Sequence, residues 1–164
     1  MYSKEEIEKK VGNESWLDTD WYFVDKNGKV AVVASAGGLL PDLVANDIEG
    51  LKKIITHFRS LPVISNEIEI VEKVLSYARG LQADGKKAYL QDLHFMSGKG
   101  LYYFDKVEVN NFYDFRYYLK SRPVKPLVLN NPDELNPIVK LEIDLDELKE
   151  FFVDQLPYST ASQY

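Results

Sequence analysis

The residue types that could do chemistry in this chain are few, and their spacing does not assemble a catalytic set. Cysteine is absent, which excludes disulfides, thiolate metal sites and cysteine nucleophiles. Histidine occurs twice, at His57 and His94, with no His-Glu-x-x-His pattern and no thiolate to complete a zinc site. His57 lies at the margin of an apolar helical stripe and His94 stands among Leu93, Phe95 and Met96, so both read as boundary or core histidines rather than ligands. The 26 acidic residues contain no pair at a spacing that marks a glycosidase. Asp18, Asp20 and Asp25 resemble part of a calcium loop, but Phe23 stands where that loop needs its glycine. Asp42, Asp47, Asp144, Asp146 and Glu147 instead suit helix starts, where backbone N–H groups and the helix dipole favour carboxylates.

The glycines point to turns rather than phosphate cradles. Ser97-Gly-Lys-Gly100 lacks the P-loop spacing, and Gly37-Gly38 is followed by Leu-Leu-Pro41 instead of Lys-Ser. No Gly-x-Ser-x-Gly elbow occurs. No catalytic constellation is present, so an enzyme is not expected, and no cofactor or metal is expected. An enzyme built on isolated carboxylates would require an acidic pair in a cleft with raised pKa values.

The feature most open to a functional reading is aromatic. Tyr102, Tyr103, Phe104, Phe112, Tyr113, Phe115, Tyr117 and Tyr118 crowd residues 102–118. Strand alternation sends them to two faces. One set packs under helices; the other offers a tyrosine-bearing face, since tyrosine supplies contact area and a hydroxyl at low entropic cost. Tyr102, Tyr103, Tyr113, Tyr117 and Tyr118 are the candidate partner-binding residues, against the alternative that they are cross-strand pairs of a sheet. Stacking of single-stranded nucleic acid would also need a basic groove, and the net charge of −6 with a pI near 5.0 argues against one.

The elements that must position these residues begin with a hairpin. Asp20–Asp25 and Val30–Ser35 are β-rich runs around Asn27-Gly28, giving a hairpin over residues 20–35. The turn suits either a two-residue type I′ loop or a three-residue loop in which Asp25 opens a type I turn and Gly28 is left-handed. Both runs are apolar on alternating faces, which predicts a ribbon covered on both sides. Trp21, Asp25, Gly28, Gly37, Gly38 and Pro41 are therefore assigned to architecture. A short helix is expected over 4–11 behind Ser3 and Glu6, and a second from Asn46 or Asp47 with the stripe Ile48, Leu51, Ile54, Ile55 and Phe58. A third follows Asn66 with the stripe Ile68, Val71, Val74, Leu75 and Ala78, closed by a Gly80 cap. Residues 86–96 suit a further helix. Strands follow at 101–105, 115–119, an edge at 127–129 beside Pro123 and Pro126, and 138–143, with a final helix from Asp144 to about Asp154.

The resulting expectation is an α+β fold: a mostly antiparallel sheet of about five or six strands with packed helices, one domain over 1–156 and a frayed tail over 157–164. A chain of 164 residues suffices for one sizeable core. No apolar run reaches the roughly 18 residues of a membrane span, and the start of the chain lacks the apolar centre of a secretory signal. A cytoplasmic location without nucleic-acid or membrane partners is expected.

Five blocks in order resemble a family. They are Trp21-Tyr-x-Val-Asp25-x-x-Gly28-x-Val30-Ala31, Gly37-Gly38-x-Leu-Pro41, Gly100-Leu-Tyr102-x-Phe104-Asp105, Tyr117-Tyr118 and Pro123-x-x-Pro126-Leu127. Spanning residues 21–127, they resemble small bacterial proteins linked to polymorphic-toxin immunity loci. That resemblance implies a non-enzymatic bacterial protein that neutralises a cognate protein toxin by binding it, with no catalytic residues to carry over. The alternative is a small-molecule or peptide-binding module with a pocket between the hairpin and the helices.

Overall fold

The run Asp-Trp-Tyr-Phe-Val places large side chains on both sides of a strand, and both sides are covered. Strands β1 (Asp20–Val24) and β2 (Val30–Ala34) pair antiparallel in the register Asp20↔Ala34 to Val24↔Val30. The structure is a computed structural model and describes residues 19–109, 111 and 113–156. The helix expected over 4–11, Phe112 and the tail at 157–164 fall outside these residues.

Of the two registers left open by the sequence, the turn takes the three-residue loop. The Gly28 N–H donates to the Asp25 carbonyl at 3.1 Å and the Asp25 N–H to the Lys29 carbonyl at 2.9 Å. Gly28 is left-handed at φ 83, as the residue after a type I turn requires. The Asp25 side chain enforces this geometry, its Oδ1 accepting from the Asn27 and Lys29 N–H groups at 2.8 and 2.9 Å.

Beyond the hairpin come helices α1 (Asp42–Ala45) and α2 (Ile48–Ser60), strand β3 (Ile68–Ile70), and helices α3 (Glu72–Arg79) and α4 (Ala83–Ser97). Strands β4 (Tyr102–Lys106), β5 (Arg116–Pro123), β6 (Val139–Lys140) and β7 (Glu150–Phe152) complete the described elements, with 3₁₀ turns at Pro132–Glu134 and Val153–Gln155. The sheet has seven strands in the order β3-β5-β4-β2-β1-β6, with β7 also pairing to β5. It is mixed, which corrects the expected mostly antiparallel sheet of five or six strands. β2 pairs β4 in parallel, and β1 pairs β6 in parallel. The chain between β2 and β4, running through α1 to α4 and β3, supplies the long crossover that a parallel pair requires.

Two apolar layers result. Trp21, Phe23, Val33, Tyr102, Phe104, Tyr117 and Phe151 lie on one face with Leu40, Val44 and Leu145. Tyr22, Val24, Val32 and Tyr103 lie on the other, under Ile54, Phe58, Val74, Ala78, Leu93 and Met96. Tyr22 stacks on Phe58 with ring centroids 4.6 Å apart, joining the hairpin to α2. Fully burying a side chain such as Phe58 contributes about 1.5–3 kcal/mol.

Three local expectations are corrected. Residues Ile68–Ile70 are a strand on β5 rather than the start of a helix; the Ile-Glu-Ile alternation and an open β5 edge outweigh helical spacing, and α3 starts at Glu72. Gly80 closes α3 at φ −78, right-handed rather than left-handed. The final helix does not form: Asp144 opens only a turn, and Glu150–Phe152 pairs with β5. Of the 138–143 run, β6 keeps two residues, and 127–129 contributes a single bridge from Val128 to Lys29. The second helix is as expected, with Asp47 Oδ1 accepting from the Gly50 N–H at 2.9 Å. Residues 86–96 are helical within α4.

Candidate functional site

The geometry of the hairpin block serves attachment. Asp25 Oδ2 accepts from the buried Leu145 N–H at 2.9 Å. Lys29 Nζ reaches Asp146 at 2.5 Å and Asp144 at 3.6 Å, and the Tyr102 hydroxyl donates to Asp146 Oδ1 at 2.5 Å. The Lys29 bond, then the Tyr102 bond, hold the Asp146 carboxyl below its ordinary range. Burial and that same bond push Tyr102 up. The 127–129 segment lies across the glycines, with its N–H groups donating from Leu129 to the Gly28 carbonyl at 2.8 Å and from Leu127 to the Gly100 carbonyl at 2.9 Å.

A second cluster lies under the Gly37-Gly38 turn. Ala36 and Gly37 are both left-handed, at φ 49 and 71. A Cβ at Gly38 would stand 2.9 Å from Lys106 Nζ and from the Ser35 carbonyl, and 3.1 Å from the Tyr117 hydroxyl. Tyr117 donates to that carbonyl at 3.2 Å. Lys106 is 1% exposed, and burial lowers its pKa against the pull of Asp114 and Asp105. Glycine is thus required for close approach to a buried lysine and tyrosine, and Pro41 precedes α1 at φ −55.

The aromatic cluster divides differently from the expectation. Tyr102, Tyr103 and Tyr117 are buried, so these three cannot form a partner-binding face, and that assignment is corrected. They are sheet residues whose neighbours across the layer fill the space above them; Tyr117 stacks on Phe151 at 5.5 Å. Tyr118 is half-buried, with Lys73 over its ring at 4.6 Å. Tyr113 is exposed at 47%. His57 and His94 are both exposed, and His57 meets Phe58 edge-on. Among the described residues no group of three acidic or imidazole side chains is placed to hold a metal.

Tyr113 opens onto a groove of about 470 Å³ lined by Glu108, Asn111, Asp114, Phe115, Arg116, Phe152, Asp154 and Gln155. The turn before β5 shapes one wall: Asn111 donates to Glu108 at 2.9 Å, and its own Oδ1 accepts from the Tyr113 N–H at 3.0 Å. β7 shapes the other, because Phe151 points into the core and strand alternation sends Phe152 outward, 40% exposed. Arg116 closes a fork on Asp114, with Nε at 2.8 Å and Nη2 at 3.2 Å. Burial alone would raise the Asp114 carboxyl, but the Arg116 bonds hold it below its ordinary range. Asp154 has no such partner: it is 8% exposed, and its Oδ1 is enclosed without a hydrogen bond. A neighbouring apolar groove of about 450 Å³, lined by Leu141, Ile143, Leu148 and Leu156 with Glu142 and Glu150, shares Phe152 and Gln155. Among the described residues, five carboxylates thus border one surface along β7, with Arg116 as its guanidinium.

Sequence reasoning missed Phe152 and Asp154 because it placed them in a helix. The signal that could have found them is the Phe151-Phe152-Val153 run, which is aromatic and β-branched as strands prefer. No protein-family model, curated protein or solved structure matches the chain.

Proposed function

We propose that this chain is a non-enzymatic binding protein of the immunity type, acting by direct contact with a cognate protein toxin, and that the contact surface is the double groove along β7. The observation that supports this reading most is the pairing of exposed Tyr113 and Phe152 around an acidic, partly apolar surface. Aromatic anchors set among near-neutral contacts are what dominate protein interfaces. The overall charge of −6 favours a basic toxin, with complementarity raising the rate of encounter more than the final affinity. The ordered sequence blocks, through their resemblance to immunity-type proteins, support the same reading.

Capture from an extract of the native host with the immobilised chain tests the proposal. A protein partner is expected, and the double variant Tyr113→Ser, Phe152→Ser should weaken its binding by at least about thirtyfold, the size of a two-kilocalorie anchor loss. Tyr77→Ser, which alters an exposed tyrosine on α3, should leave binding unchanged. Repeated recovery of no protein, or equal binding by the double variant, overturns the assignment.

A further inference from the structure

We infer that the groove between Tyr113 and Phe152 receives an arginine side chain of the partner, with Asp154 as its counter-ion. The inference rests on the binding reading above and specifies its chemistry. A carboxylate removed from water is stable only when donors or a cation meet it, and a buried polar atom left without a partner calls for an explanation. Among the described residues that line the groove, the cation is already committed, since Arg116 is held by Asp114 through two side-chain bonds and lies 3.7 Å from Glu108. Asp154 Oδ1 stays enclosed and unbonded. The groove therefore carries three carboxylates, Glu108, Asp114 and Asp154, against one guanidinium.

The walls distinguish between the two basic side chains. Tyr113 and Phe152 present exposed aromatic rings at the groove. A guanidinium is planar, stacks on aromatic faces and meets a carboxylate with paired N–H donors, whereas an ammonium is a compact, strongly hydrated charge. Entry of the guanidinium, met by a turn of the Asp154 side chain toward the groove it lines, would complete the bonding of Asp154 and cover the exposed aromatic surface of Tyr113 and Phe152. The apolar groove beyond Phe152 then accepts the residue next to that arginine.

Amide NMR titration of the full chain with acetyl-Gly-Arg-Gly-amide, against the citrulline counterpart, is the test. Citrulline keeps the shape of the side chain and removes its charge. Saturable shifts confined to Tyr113 and residues 152–155 are expected, with the arginine peptide binding about tenfold more tightly than citrulline, the scale of one charge-assisted hydrogen bond. Asp154→Asn should erase that difference while keeping a melting temperature no lower than the parent's, because the carboxyl it replaces makes no hydrogen bond through Oδ1 that the change could break. Glu108→Gln, on the rim, should reduce the preference only slightly. Equal affinities for the two peptides, shifts elsewhere on the protein, or an Asp154→Asn variant that keeps the preference overturns the inference. Failure here with a host partner still captured through Tyr113 and Phe152 removes only the arginine; failure of capture with arginine still bound removes the toxin reading.

Discussion

Two glycines show how backbone freedom is used at single residues. Gly28 is left-handed, and a Cβ there would stand 2.6 Å from the Leu129 carbonyl oxygen. Gly28→Ala therefore combines a strained φ with a backbone collision that no rotamer relieves. It should destabilise the protein by about 1–3 kcal/mol, lowering the urea midpoint without altering the slope. Gly85 sits inside α4, and its nearest foreign atom would be Leu81 Cβ at 4.0 Å. Gly85→Ala should move the midpoint the other way, by roughly 0.4–1 kcal/mol, since Gly85 lies in the first turn of α4 with helical backbone that alanine adopts freely, and alanine narrows the unfolded ensemble. Opposite signs from one chemical change test whether position, not glycine content, is decisive.

Among the elements, β7 is short and at the margin, yet Phe151 ties it to the core. Its ring meets Trp21 at 6.1 Å, Phe23 at 5.6 Å, Phe104 at 5.3 Å and Tyr117 at 5.5 Å. Phe151→Ala should cost about 3–5 kcal/mol. Hydrogen exchange should show residues 150–155 losing protection before β1 and β2, and the Tyr113–Phe152 groove dissolving with them. Equal loss of protection across the whole sheet would show that β7 is not a separable element. The hairpin is legible in the sequence because turn chemistry is local: Asp25, Asn27 and Gly28 specify their own geometry. α2 is legible because Asp47 and the Leu51, Ile54, Phe58 stripe agree. β7 is not, because Asp144 and Glu147 carry a helix-start signal that is overridden at a distance, when Asp25 takes the Leu145 N–H and Arg116–Tyr118 pairs with Glu150–Phe152. β3 is hidden for the same reason. The groove is illegible in principle: that Asp154 lacks a partner and Asp114 has one depends on where Arg116 lies after folding.

At the scale of the molecule, two attachments depend on ionised carboxylates, one between distant segments and one within the turn before β5, so acid should loosen the fold in a specific order. Asp146 joins the turn after β6 to Lys29 and Tyr102, and Asp114 joins the groove wall to Arg116; both carboxyls lie below their ordinary range in the folded chain. A carboxyl depressed by folding adds stability that is present above the unfolded pKa, about 4, and is lost as pH falls through the folded value. Protonating these groups removes the attachment of the 144–148 turn and the Arg116 fork together. Asp146 has 55% of its side chain exposed, so solvent screens its share, whereas the Asp114 side chain, at 4%, is shielded. Urea unfolding between about pH 6 and pH 3 should therefore show declining stability, with Asp114→Asn flattening the slope more than Asp146→Asn. Because Arg116 stays charged throughout, the groove wall should give way in that interval while β1 and β2 hold. A larger flattening from Asp146→Asn would place the acid-sensitive contact at the hairpin instead.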